Sequence, residues 1–189
     1  MTPEILHLDG LDQNAVWADW IRTIRQAFID SPQVRYADSE QTWWRDLVGP
    51  CCSPPPSLVA FQCARSIMVT AQGFYQCQPL RVESIFIASL AAGGKIVPHA
   101  DSEAVIGGKW APNHTANRTY SAVLYLNSEF EGGELDFPGL KRRFQPRRGT
   151  LIAWPADHRF VHQVLPVKGG VRISMPVWFE PERSENRGF

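Results

Sequence analysis

The chain has 189 residues, 44% of them hydrophobic, which is enough for one sizeable core and too few for two ordinary domains. Nineteen basic residues balance nineteen acidic ones, so bulk charge gives no argument for nucleic acid, a membrane surface or a strongly acidic partner. No stretch has the length of a membrane span, the opening residues lack a basic start followed by an apolar run, and Cys51, Cys52, Cys63 and Cys77 form no CxxC pair; the expectation is a cytoplasmic protein with reduced thiols.

In chain order, Val16, Trp17, Trp20, Ile21, Ile24, Ala27 and Phe28 recur at three- and four-residue spacing and predict an amphipathic helix stopped by Ser31-Pro32. A shorter helix is predicted next, with Ser39 as N-cap, Trp43, Trp44, Leu47 and Val48 on one side, and Gly49-Pro50 at its end. Both tryptophans read as core. Ser53-Pro54-Pro55-Pro56 then reads as a stiff connector. From there the period moves toward two, with β-rich runs at Val82 to Leu90, Tyr120 to Asn127, Glu134 to Phe137, Thr150 to Trp154 and Val171 to Phe179. Ala92-Gly93-Gly94, Glu131-Gly132-Gly133 and Lys168-Gly169-Gly170 punctuate them. The resulting fold class is mainly β with N-terminal α-helices, a β-sandwich or jelly roll. Residues 1–50 form the expected helical support layer and about 80–180 the β core, together one domain over 1–189.

The last run carries the most information about burial. As a strand it places Ile173, Met175, Val177 and Phe179 on one face, an ordinary core, and Arg172, Ser174, Pro176 and Trp178 on the other. A cation, a hydroxyl and an indole in a row suit the wall of a polar cavity. Pro176 predicts an edge position or a bulge.

His99-Ala100-Asp101 puts an imidazole and a carboxylate two residues apart, on one face of an extended segment. His162, after a β-rich run and a Pro155-Ala156-Asp157 turn, offers a third ligand. Two histidines and a carboxylate on a β scaffold can hold iron with open positions, although zinc hydrolases use the same ligand types. Arg172, ten residues after His162, favours iron: emerging from the next antiparallel strand, its guanidinium can clamp the far end of a dicarboxylate.

These stretches, with RTYSAVLYLNSEFEGGELDF from Arg118, GTLIAWP from Gly149 and HQVLPVKGGVRISMPVWF from His162, resemble the prolyl 4-hydroxylase-like branch of the 2-oxoglutarate/Fe(II)-dependent oxygenases. The resemblance implies a double-stranded β-helix, cupin-like, with the metal at its open end. It implies His99, Asp101 and His162 as iron ligands and catalytic centre, and Arg172 as the 2-oxoglutarate clamp. Tyr125 and Ser174 join Arg172 at the co-substrate, and Trp178 and His114 are candidate substrate contacts. The implied chemistry is hydroxylation of an unactivated C–H bond by O2, with 2-oxoglutarate decarboxylated to succinate and carbon dioxide and ascorbate as a candidate reductant. Asp101 favours hydroxylation over halogenation. Arg172 stands where many collagen-type members have lysine, which turns the resemblance toward the hypoxia-sensing and bacterial type, and the absence of a second arginine six residues on turns it away from nucleic-acid demethylases. The substrate is then a peptide or protein proline, a free amino acid or another small molecule, with neither membrane nor nucleic acid as a partner.

Other readings remain at this level: a zinc-dependent cupin-like hydrolase or isomerase, and a non-catalytic β-sandwich binding module. His158 reads as a loop residue, Lys141-Arg142-Arg143 and Arg147-Arg148 as a solvated turn, and residues 102–117, rich in Gly, Asn and polar groups, as a lid over the metal.

Overall fold

The structure, a computed structural model, describes residues 4–30, 34–35, 41–43 and 54–182. In chain order the elements are β1 (Leu6–Leu8), α1 (Ala15–Ile29), β2 (Val34–Arg35), β3 (Gln41–Trp43), α2 (Pro54–Tyr75), β4 (Leu80–Ile85), β5 (Ala88–Ala91), β6 (Ile96–His99), β7 (Glu103–Ile106), β8 (Lys109–Pro112), β9 (Tyr120–Tyr125), β10 (Phe130–Gly132), β11 (Leu135–Phe137), β12 (Arg142–Phe144), β13 (Leu151–Pro155), β14 (His162–Val164) and β15 (Val167–Pro181). No helix among the described residues is long and apolar enough to cross a membrane.

Helix α1 starts where the Asn14 side chain accepts from the backbone N–H groups of Val16 and Trp17, satisfying donors that have no partner within the helix. Its buried face is Ile21, Ile24 and Phe28. Helix α2 buries Ala60, Cys63, Ala64, Ile67 and Ala71, the three- and four-residue spacing of one helical stripe. These stripes share a cluster with one face of the large sheet, including Ala122 and Leu124 of β9, Leu151 and Ala153 of β13, and Ile173, Met175, Val177 and Phe179 of β15.

The alternate residues of the same strands, Val123, Tyr125, Ile152 and Trp154, belong to a second cluster with Leu135, Phe137, Phe144 and Val164 of the smaller sheet. Two sheets thus face each other with side chains between them, and the helices cover the outer face of the larger one. The large sheet runs β1-β13-β9-β15-β5-β3-β2, with β4 and β10 also pairing with β15. The small sheet runs β12-β11-β14-β6, and β7 and β8 form a separate hairpin. These curled antiparallel sheets make the double-stranded β-helix that the resemblance implies.

Several local expectations need correction. Gln41–Trp43 is a strand paired with Ala88–Leu90 rather than part of a second helix; the rest of that predicted helix, and the side chains of Trp43 and Trp44, lie outside the described residues. Pro54-Pro55-Pro56 opens α2 instead of forming a connector, since a first helical turn does not require the N–H groups that proline lacks. The helical layer therefore comes from α1 and α2 and runs past residue 50, while β1 and β3 join the large sheet. Lys168-Gly169-Gly170 does not interrupt β15: Gly170 lies opposite Phe130 at φ +73, where a Cβ would run into the Glu129 carbonyl. Nor is Pro176 at an edge. β15 has neighbours on both sides, and the missing N–H falls opposite Phe86, whose own N–H donates to the Pro176 carbonyl at 3.0 Å in the gap between β4 and β5.

Candidate metal and dicarboxylate site

The two histidines meet because β6 and β14 pair antiparallel with His99 directly opposite His162. Their ring centroids are 4.3 Å apart. Each Nδ1 lies against a backbone carbonyl two residues upstream, His99 with Val97 at 2.9 Å and His162 with Phe160 at 3.0 Å. A carbonyl can only accept, so both Nδ1 atoms carry a proton and the Nε2 atoms are the ones left to meet a cation.

Asp101 reaches the same place from the bend after β6. Its backbone N–H and that of Ser102 both donate to the Ala156 carbonyl, each at 3.0 Å, and Thr115 Oγ1 donates to the Asp101 carbonyl at 2.7 Å. Its carboxylate is held as firmly: Ser121 Oγ donates to Oδ2 at 2.7 Å and Trp178 Nε1 to Oδ1 at 2.9 Å. Asp101 Oδ2 is 3.6 Å from His162 Nε2, and Oδ1 is 3.9 Å from His99 Nε2. The three donor atoms lie within 4.8 Å of one another, close enough for one ion to engage all of them.

The protonation states suit a cation. Burial opposes charge on Asp101, yet His162 first, His99 next, and the Ser121 and Trp178 hydrogen bonds hold its carboxyl below the usual carboxylate range. His162 is pushed down to about 4, by burial above all and against the pull of Asp101, so near neutral pH its Nε2 is unprotonated.

The triad lines one cavity of about 310 Å³ together with Arg172, Ser174, Pro176 and Trp178 from β15. Arg172 comes from β15, the next strand after β14 in the chain, into the same cavity. It projects from the opposite sheet, so the cavity has imidazoles on one wall and the guanidinium on the other. Arg172 is 3% exposed. It donates through Nη1 to Ser174 Oγ at 2.9 Å and through Nη2 to Tyr125 Oη at 3.2 Å, while its Nε has no partner. No carboxylate among the described residues pairs with it. A buried, permanently charged guanidinium served only by two neutral hydroxyls is costly unless an anion joins it. The donor set and this orphaned cation fit a dicarboxylate that reaches from the metal to Arg172.

Tyr125 is fully buried behind Arg172, 4.8 Å from ring centroid to guanidinium carbon. Burial raises its pKa against the opposing effect of Arg172, which keeps the phenol proton available to a further acceptor. Gly133, at φ +64, completes the surround, since a Cβ there would stand 3.0 Å from Arg172 Cδ.

His158 is not brought into the triad. Its backbone N–H and Nδ1 both contact Glu103 Oε2 at 2.6 Å, and its ring stacks on Trp110 at 5.6 Å. A second acidic and histidine cluster, Glu103, Asp157 and His158, is already satisfied internally, because Arg159 engages both Asp157 oxygens. His114 is exposed in the turn after β8 and does not line the cavity. Arg143 pairs with Asp136 and Arg148 with Asp12, so those parts of the basic cluster are surface ion pairs. Sequence reasoning missed Ser121, whose signal was a small hydroxyl two residues before Val123 on the cavity-facing parity of β9. It also missed Trp154, which packs edge-on against His162 at 4.7 Å.

The chain matches the family model described as 2OG-Fe(II) oxygenase superfamily over residues 85–180. Prolyl 3-hydroxylase 1 of Gallus gallus is 36% identical over 92 residues, 45% of this chain; the match spans only 13% of that relative's length. Among solved structures, the viral collagen prolyl hydroxylase of Paramecium Bursaria Chlorella virus-1, in its 2OG complex, superposes with a TM-score of 0.65 at 21% identity, covering 95% of this chain and 96% of that one. A Trichoplax adhaerens prolyl hydroxylase in complex with a hypoxia inducible factor peptide fragment gives 0.69 at 14% identity, covering 95% and 84%. At these identities the structural matches speak for the fold.

Proposed function

The chain belongs to the 2OG-Fe(II) oxygenase superfamily, and from that premise we propose that it hydroxylates a proline within a peptide or protein, using His99, Asp101 and His162 to hold iron and Arg172 to hold 2-oxoglutarate. Membership sets aside the zinc hydrolase and the non-catalytic module. The observation that carries the residue assignment is Arg172: a buried cation with no acidic partner among the described residues, facing two imidazoles and a carboxylate across one cavity.

When bound, Fe(II) and 2-oxoglutarate supply the oxidising chemistry, in which O2 converts the co-substrate to succinate and carbon dioxide and one oxygen atom enters a C–H bond. The chain's own residues do the rest. His99 and His162 present their Nε2 atoms, and Asp101 brings the negative charge that offsets part of the metal's. Arg172 neutralises the far carboxylate, with Tyr125 and Ser174 fixing the guanidinium plane. Leu90, Ile96, Val123, Leu135 and Val164 form apolar walls that exclude water and strengthen these charge interactions.

The size of the cavity supports a presented side chain over a whole small metabolite. About 310 Å³ lies at the low end of ligand pockets, and a five-carbon dicarboxylate fills much of it. Val97, on its rim, is 64% exposed, so the cavity opens at β6, where a residue offered from a longer chain can enter. The prolyl hydroxylases among its relatives support the same choice. The test incubates Fe(II)-loaded protein with 2-oxoglutarate, ascorbate and a proline-peptide library, reading succinate release and added oxygen by mass spectrometry. One oxygen on a peptidyl proline, with succinate in equal amount, is the expected result; turnover with free amino acids alone contradicts the peptide reading. Product analysis then tells the 3-hydroxy from the 4-hydroxy isomer.

A further inference from the structure

Asp101 is oriented by two neighbours that face each other across β9 and β15, since Ser121 and Trp178 are cross-strand partners. Each donates to a different oxygen of the carboxylate. What holds Trp178 lies outside the cavity. The guanidinium of Arg118 sits over the indole face, 4.2 Å from the ring to Cζ, and Phe86 packs edge-on against the ring at 5.6 Å. Arg118 is itself anchored: Nε donates to Glu83 Oε2 at 3.0 Å and Nη2 to Ser84 Oγ at 3.3 Å, with the ion pair largely shielded from solvent. Ser84 is the cross-strand partner of Trp178 on β4. A continuous line of contacts therefore runs from Glu83 through Arg118 and Trp178 to Asp101, and Arg118 does not line the cavity.

We propose that Arg118 is a positioning residue for the metal site, acting through the Trp178 indole to fix the Asp101 carboxylate between the two imidazoles. Two effects of the cation reach Asp101. Its seat on the π face holds the ring in the one orientation that points Nε1–H at Oδ1. Positive charge over the ring also draws electron density from it, making the N–H a stronger donor to the carboxylate. A carboxylate pinned through both oxygens cannot rotate away when the cavity is empty, so the site is preorganised before a metal arrives. This inference rests on the metal-binding reading of His99, Asp101 and His162 and adds a residue to which that reading gives no part.

The test titrates Mn(II), a redox-silent probe, into the metal-free full-length protein, wild type and variants. W178F keeps the ring and removes the N–H, and it is expected to weaken Mn(II) binding about tenfold. R118A is expected to weaken it by roughly threefold to tenfold, R118K to recover part of the loss, and the double variant R118A/W178F to be no worse than W178F, because Arg118 acts only through the indole. In ¹⁵N-labelled metal-free protein, the indole N–H resonance identified by its absence in W178F should shift in R118A. E83Q, which removes the charge from the Arg118 anchor and so loosens the guanidinium, should show a smaller change of the same kind and serves if R118A does not fold. Unchanged Mn(II) affinity and an unmoved indole resonance in both R118A and E83Q, or losses that add in the double variant, overturn the inference while the wild type still binds. A wild type that binds no Mn(II) overturns the metal-site reading with it.

Discussion

At the scale of single residues, the choice between His158 and His162 has a sharp consequence. His162 is buried with a free Nε2, whereas His158 is committed to Glu103 and Trp110. His99→Ala, Asp101→Ala and His162→Ala should each abolish turnover and weaken iron binding; His158→Ala should leave iron content near normal, as read by metal analysis of anaerobically purified protein. A His162→Ala protein with unchanged turnover and iron content would show that the third ligand lies elsewhere. Arg172 carries the co-substrate prediction. Removing a bidentate partner from a desolvated carboxylate costs about 2 to 5 kcal/mol, so Arg172→Met should raise the 2-oxoglutarate concentration for half-maximal succinate release by tens-fold or more with iron still bound. Arg172→Lys should restore only part, having charge without the planar fork.

These residues were legible because their side chains are chemically out of place. A histidine and an aspartate at strand spacing, and an arginine opposite an apolar face, advertise a site in the sequence alone. Ser121 and Arg118 were not legible in the same way, since a strand serine or a loop arginine is ordinary until its partner is known. Their roles exist only in the register that sets Ser121 beside Trp178.

At the scale of elements, long regular patterns were readable and short or interrupted ones were not. Helix α1 and the two faces of β15 follow directly from periodicity. Helix α2 escaped because its buried stripe is mostly alanine and cysteine and its first turn is three prolines, so neither composition nor flanks announce a helix. It nonetheless closes the outer face of the large sheet. Ile67→Ala, at a fully buried position, should lower stability by about 2 to 5 kcal/mol in a denaturant titration while leaving Mn(II) affinity in the surviving folded protein unchanged.

The segment predicted as a lid contains the β7–β8 hairpin, turning at Gly107-Gly108 and exposing Val105 and Ile106. The base of the segment is tied down by Ser102 Oγ on the Ala156 carbonyl, Thr115 Oγ1 on the Asp101 carbonyl and Asn117 on Glu180, whereas the side chains of the hairpin itself reach His158 through Glu103 and Trp110. Its exposed turn should open more readily than its base. Trypsin is expected to cut after the exposed Lys109, more slowly with 2-oxoglutarate and peptide bound, and faster in Glu103→Ala. Equal cleavage with and without ligands would argue against closure over substrate.

At the scale of the whole molecule, the site is the product of an arrangement of layers. Helices cover one face of the large sheet, and the small sheet covers part of the other. The remaining cavity takes the two imidazoles and the carboxylate of the candidate metal site from the small sheet and the adjoining bend, and its cation from the large sheet. A ligand held by both walls must carry a metal-binding group and a carboxylate a fixed distance apart, which is what 2-oxoglutarate provides. The two ends should therefore be thermodynamically coupled. Calorimetric titration of 2-oxoglutarate into anaerobic wild-type protein, with and without Fe(II), and into Arg172→Met with Fe(II), tests this directly. Tight binding is predicted only when metal and Arg172 are both present, with a loss of tens-fold or more when either is removed. Binding of undiminished affinity in the metal-free protein or in Arg172→Met would contradict the two-walled site.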